Sequence, residues 1–110
     1  MITYDDFLKV EMRVGKIIKA EEFPKARNPA YKLEIDFGND IGIKKSSAQI
    51  TKLYSIDELI GRNIVAVTNF PPKQVSDFIS EVLVLGVVLD NGGVPLLQVD
   101  RDVPLGMRIS

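Results

Sequence analysis

Apolar and polar positions along the chain fall into short strand-like runs divided by turn residues. The clearest run is Tyr31-Lys32-Leu33-Glu34-Ile35-Asp36-Phe37, where apolar and charged side chains alternate and so line opposite faces of a half-buried strand. Gly38-Asn39-Asp40 supplies a turn, and residues 41–47 return, which predicts a hairpin. Upstream, residues 12–20 are rich in β-branched side chains and carry Gly15 where a strand can bend. A polar loop over 21–29, stiffened by Pro24 and Pro29, follows. Residues 55–61, SIDELIG, have serine three positions before glutamate, acids in the first turn and a glycine stop, which together predict a short helix. Residues 63–68 make a fourth strand. Residues 81–89 make a fifth, and its 82–89 portion is apolar enough to predict burial throughout. Asp90-Asn91-Gly92-Gly93 is a hairpin turn that pairs residues 94–99 back, with Pro95 placing that sixth run at an edge.

Five principal strands with a short helix between the third and fourth outline an all-β OB-fold, a five-stranded Greek-key barrel with extra terminal segments. A β-sandwich has a similar strand count, and the position of the helix favours the barrel. At 110 residues the chain is predicted to form one domain over 1–110, with no internal repeat.

Composition narrows the chemistry. Cysteine and histidine are both absent, which removes disulfides, a thiolate nucleophile, the usual general base near neutral pH and the commonest transition-metal ligands. The adjacent carboxylates Glu21-Glu22, Asp57-Glu58 and Asp5-Asp6 do not supply a substitute. Neighbours on a strand point to opposite faces, and Asp57-Glu58 are accounted for by helix capping. No phosphate-binding glycine pattern is present. The expectation is a binding protein without catalytic residues, metal or cofactor.

The amino terminus lacks the basic and apolar regions of a secretory signal, and no run is long enough to cross a bilayer, so a cytoplasmic location without membrane insertion is expected. The net charge of −1 is not that of a general nucleic-acid binder; any such contact would rest on a local patch and weaken in salt.

One loop stands out as a candidate site. In NFPPKQVSDFISEVLVLG, residues 69–86, Pro71 and Pro72 fix the backbone, so Asn69, Phe70, Lys73, Phe78 and Ser80 are displayed with little conformational freedom left to lose. Phe70 and Phe78 offer apolar contact area, and Asn69, Lys73 and Ser80 offer polar anchors. The structural alternative has both rings filling the barrel mouth or a subunit contact, with Ser80 satisfying a strand-end backbone group. OB-folds bind ligands along their second and third strands, which adds Lys32, Lys44, Lys45 and Ser47 as candidates. Arg13 is expected to pair with Glu11 or Glu81, or to touch the ligand directly. Strand alternation puts Arg13 and Lys19 on one face and Lys16 on the other.

Four separated motifs then carry a resemblance. DFLKVEMRVGKI at 6–17, DFG at 36–38, NFPPK at 69–73 and SEVLVLG at 80–86 together resemble the tRNA-binding domain appended to methionyl-tRNA synthetases and related proteins. Within that superfamily, EFPKAR at 22–27, IKKSSAQITK at 43–52 and the double proline after Asn69-Phe70 look like the CsaA-type export chaperones. The resemblance implies an OB-fold homodimer without catalytic activity whose partner is either unfolded or pre-secretory polypeptide or the folded shape of tRNA. The apolar segment 103–109 adds sequence support for a subunit contact. Gln74 and Asp77 stand where the synthetase-type pattern has a second basic residue and a glycine, and Ser80-Glu81-Val82-Leu83 stands where its strand begins Ser-x-Gly-Met, which brings in an acid and a branched apolar residue. These departures remove positive charge where phosphate is expected, and favour polypeptide over tRNA.

Overall fold

The computed structural model describes residues 1–110. Its elements run α1 (Tyr4–Leu8), β1 (Met12–Glu22), β2 (Tyr31–Asp36), β3 (Ile43–Ala48), α2 (Ile56–Leu59), β4 (Asn63–Val67), β5 (Lys73–Val75), β6 (Phe78–Ser80) and β7 (Leu83–Val84). A five-stranded antiparallel sheet of order β3-β2-β1-β4-β7 coils into a nearly closed barrel, and β5 and β6 form a separate two-stranded hairpin. The all-β OB-fold expectation holds.

The alternation in β2 does what its sequence requires. Tyr31, Leu33 and Ile35 are buried and Lys32, Glu34 and Asp36 face outward. The inward side chains join Ile17, Phe37, Ile50, Leu59, Ile64, Ala66 and Val82 in one core. Ser55 caps α2 through the predicted capping box, and Leu59, the helix's buried residue, packs into the core. The helix is shorter than predicted, because Ile60 already has extended backbone and Gly61 follows at φ +86°.

The long β1 serves two partners. Met12 to Lys16 pair with β4, and Lys16 to Glu22 pair with β2. A β-bulge between Ile17 and Lys19 shifts the register there. The extra residue reverses the alternation beyond it, so Lys19 shares the outer face with Lys16 rather than the side occupied by Arg13, correcting the face assignment read from the sequence. Gly15 is required where β1 crosses β2: an added Cβ would stand 2.6 Å from Ile35 Cγ2 and 2.7 Å from the Phe37 ring.

The barrel seam is closed by three residues. Backbone N–H groups of Glu81 and Val82 donate to the Lys45 carbonyl at 2.8 and 3.3 Å. In return the Lys45 N–H donates to Glu81 Oε1 at 3.0 Å and the Ser47 N–H to Ser80 Oγ at 3.1 Å. The buried Ser46 hydroxyl donates to the Val82 carbonyl at 2.9 Å. Side-chain oxygens thus stand in for a neighbouring strand along the free edge of β3.

The predicted fifth strand needs correction. Only Leu83–Val84 belong to the sheet; Val82 is buried, whereas Leu83, Val87, Val88 and Leu89 are exposed. Leu85 N–H still donates to the Val65 carbonyl of β4 at 2.9 Å, and past it the chain leaves the barrel and forms an irregular ribbon with residues 93–97. It is held by Val87 N–H to the Pro95 carbonyl, Leu89 N–H to the Gly93 carbonyl and Leu97 N–H to the Leu85 carbonyl. An apolar run records hydrophobicity but not whether a wall of the same chain will cover it.

Segment 103–109 lies along the edge of β1 that β2 leaves open. Val14 N–H donates to the Met107 carbonyl, and Gly106 and Ile109 N–H groups donate to the Val14 and Met12 carbonyls. Its backbone is therefore spent within the chain.

The β5–β6 hairpin, read as loop in the sequence, turns through Ser76 and Asp77, with Ser76 at φ +55°. A non-glycine residue pays roughly 1–2 kcal/mol for that region, and glycine adds about 0.5–1 kcal/mol of unfolded-state freedom. Ser76→Gly is therefore expected to stabilise the hairpin by roughly 0.5–1 kcal/mol, read as slower amide hydrogen exchange at Val75 and Phe78, the hydrogen-bonded pair that closes the turn.

Candidate functional site

The loop after β4 is anchored before it projects. Asn69 accepts from the Glu11 N–H at 3.0 Å through Oδ1 and donates to the Lys9 carbonyl at 2.7 Å through Nδ2. Its amide is thereby occupied in tying the start of β1 to the loop. Pro71 and Pro72 then limit the backbone on the far side, and Phe70 between them is 54% exposed. Phe70, Pro71, Lys73, Ser80, Glu81, Val82 and Leu83 line a groove of about 280 Å³. One wall is the clamped loop, the opposite wall is the seam, and Lys73 makes no ion pair. The arrangement can hold an apolar side chain against Phe70 and offer one ammonium beside it.

A second cluster forms on the outer face of β2 and β3. Cross-strand pairs Lys32↔Ser47 and Glu34↔Lys45 put these four side chains on that face. Lys44 pairs with Ile35 and has the opposite parity, so the structure separates it from Lys32, Lys45 and Ser47. In the hairpin, Val75↔Phe78 and Lys73↔Ser80 share the face turned toward the barrel. Its base therefore borders the groove while its tip lies on β2 and β3.

Phe78 is the contact at that tip. The Lys32 ammonium lies 5.9 Å and the Lys45 ammonium 5.4 Å from its ring centroid, and Phe23 meets it edge-on at 5.6 Å. Each exposed cation–π contact contributes about 0.5–1 kcal/mol, and the aromatic pair about 0.5–1.5 kcal/mol. The hairpin turn is also tied to the β1–β2 loop by an exposed ion pair, Lys25 to Asp77 at 3.0 Å. That hydrogen bond holds the Asp77 carboxyl below its ordinary range. Nearby, Lys19 contacts Glu21 at 2.9 Å and Glu34 at 3.5 Å. Its hydrogen bond to Glu21 raises the lysine and lowers the glutamate.

Arg13 stands apart. Its guanidinium donates to Glu11 Oε1 at 2.5 Å and to the Gly106 carbonyl at 2.7 Å, beside a different surface depression that includes Phe37, Leu105 and Arg108. Of the two carboxylate partners expected for it, Glu11 is the one used, and Glu81 is engaged at the seam. The structure thus brings Phe70, Pro71, Lys73 and Ser80 to the groove and Lys32, Lys45, Ser47 and Phe78 to the adjoining face; Pro72 is exposed and outside the groove lining, and Asn69 supports from behind. Sequence reasoning did not select Phe23, Lys25, Glu81 or Leu83 for the site. A ring in a polar, proline-stiffened loop was the available signal for Phe23. No local signal marks the others, since their roles depend on partners 36 or more residues away for Glu81 and 52 for Lys25. No three Asp, Glu, His or Cys side chains gather as a metal site.

Residues 12–108 match the family model described as a putative tRNA binding domain. Methionine–tRNA ligase of Thermococcus onnurineus is 34% identical over 108 residues, covering 98% of this chain and 14% of that protein. The chain therefore spans about one seventh of the length of such relatives. Among solved structures, chaperone CsaA from Bacillus anthracis aligns with TM-score 0.94 at 55% identity, covering 100% of this chain and 99% of that one. The CsaA chaperone protein from Picrophilus torridus aligns with the same score and identity over all of both chains. The MetRS related protein from Pyrococcus horikoshii aligns at 0.88 with 30% identity, covering 100% and 98%. With the barrel, the ordered motifs and these full-length likenesses in agreement, the chain belongs to the tRNA-binding-domain family, in its CsaA-like branch.

Proposed function

We propose that the protein is a non-catalytic, homodimeric chaperone that holds unfolded or pre-secretory polypeptides in the groove beside Phe70. The observation that carries this reading is an exposed ring on a proline-stiffened loop that shares with Val82 and Leu83 a groove holding a single unpaired ammonium. Pro71 and Pro72 stiffen the loop that forms one wall, Ser80 lies on the opposite side, and Lys73 meets a backbone carbonyl or acidic group of the client. Holding is passive, by fit and apolar contact, so release needs no nucleotide.

Binding of tRNA is the second reading, favoured by the family match and by Lys32, Lys44 and Lys45 on or beside β3. Against it, Lys19 and Lys25 are neutralised by carboxylates, and Lys32 and Lys45 sit on the Phe78 ring.

Phe70→Ala is expected to weaken suppression of client aggregation about tenfold, a loss of the size seen when a buried aromatic anchor is removed. The wild-type effect should change little between low and high salt. If Phe70→Ala leaves holding intact while tRNA affinity falls steeply with salt, the polypeptide reading is wrong and the phosphate reading replaces it.

A further inference from the structure

The position of Phe78 is unusual for a ring that serves only to pack. It is half-buried, lies outside the core, and sits on the face of β2 and β3 along which this fold takes its ligands. Two ammonium groups and an edge-on aromatic ring inclined at 64° contact it, which is the environment that would select an aromatic side chain arriving from elsewhere.

The hairpin that delivers it is lightly held. Its turn carries Ser76 at positive φ, its tip is tied by one exposed ion pair, and its strands form a sheet of their own rather than extending the barrel. A cleft of about 60 Å³ beside the ring, lined by Lys19, Glu21, Lys32, Leu33, Glu34 and Phe78, leaves the seat accessible from solvent. Lys19 is paired with Glu21 and Glu34, and Lys25 with Asp77, so these two ammonium groups are not free to meet the phosphates that would accompany a nucleobase.

We propose that this face is a seat for an aromatic side chain of a bound polypeptide, and that the hairpin's own Phe78 occupies it until a client ring takes its place. The inference rests on the polypeptide-holding reading and adds to it a preference for clients that carry an aromatic residue. The groove beside Phe70 and the Phe78 seat adjoin through the Lys73–Ser80 base of the hairpin, so one extended segment can reach both.

The test measures binding of a short fluorescent peptide with one central Phe by the full chain. It is compared with the same peptide carrying cyclohexylalanine, which matches the ring in size but has no π-face, and with a single-stranded oligoadenylate. Phe78→Ala removes the internal competitor and is expected to tighten the Phe peptide about five- to tenfold, with little gain for the cyclohexylalanine peptide. Lys32→Gln and Lys45→Gln together in that background should return the Phe peptide to the cyclohexylalanine value. Asp77→Asn, which loosens the tip and leaves the seat intact, should shift affinity in the same direction by less, and it decides the matter if Phe78→Ala does not fold. Equal gains for both peptides, no gain, or a loss overturns the seat, while Phe70-dependent peptide binding would leave the holding function standing. A gain confined to oligoadenylate overturns the polypeptide occupant. If the wild-type protein binds neither peptide, the holding reading itself fails and the seat falls with it.

Discussion

Gly106→Ala is expected to destabilise the protein by about 3 kcal/mol or more, a large fraction of the stability of a domain this size. At that position φ is +89° and an added Cβ would stand 2.4 Å from the Phe37 carbonyl oxygen. Backbone cannot swing aside as a flexible side chain does. The left-handed conformation alone costs an L-residue roughly 1–2 kcal/mol, and overpacking against fixed atoms adds roughly 1–3 kcal/mol. Gly38 makes the reciprocal approach, with its would-be Cβ 2.8 Å from the Leu105 carbonyl oxygen, so the two strands of chain cross glycine against carbonyl in both directions. Gly42→Ala is the control. It has nearly the same φ, +84°, with nothing within 4 Å, and should show the conformational cost alone. Urea titration of the three proteins separates the two contributions. Equal losses at Gly106 and Gly42 would show that the crossing relaxes freely.

The second large effect concerns assembly. Val88 is 82% exposed on a ribbon that also displays Val87, Leu89 and Leu97, and Leu83 is exposed where the ribbon leaves the barrel. If two chains meet through this surface in the proposed dimer, Val88→Asp places an unpaired carboxylate in the contact. The expected result is dissociation, with affinity between chains reduced at least about a hundredfold. Each chain should stay folded, because in a single chain that side chain is already in water, and the melting temperature should fall only by what dimerisation contributed. Light scattering reads the outcome directly, as a fall from twice the 12.2 kDa chain mass to that mass. A dimer that survives the substitution would place the contact elsewhere, and a wild-type particle of 12.2 kDa would remove the dimer from the proposal.

How far the sequence could be read depended on how local each determinant is. The alternation of β2, the capping box of Ser55 and Glu58 and the turn at 90–93 are encoded within a few adjacent residues, and all appear in the structure. The bulge after Ile17 left no compositional mark, since Ile18 suits either face of a strand, and the assignment of Lys19 failed there. The β5–β6 hairpin was hidden because Ser76, not glycine, occupies its positive-φ position. Helix α1 depends on a Thr3 cap and only five residues, too few for a periodic signal. The stiffening of the loop at Pro71 and Pro72 was legible because proline acts on its own backbone. The seating of Phe78 was not, because it needs Lys32 and Lys45 from two other strands.

Ser80, Glu81 and Val82 line the groove and also fasten the last seam of the barrel. Altering the shape or polarity of that side of the groove therefore loosens the fold at the same stroke. Freedom to change what is accepted lies instead at Phe70 and Lys73, whose side chains hold nothing else in place. In the proposed holding role, selectivity can drift on one bank of the groove while the other is pinned by the demands of stability.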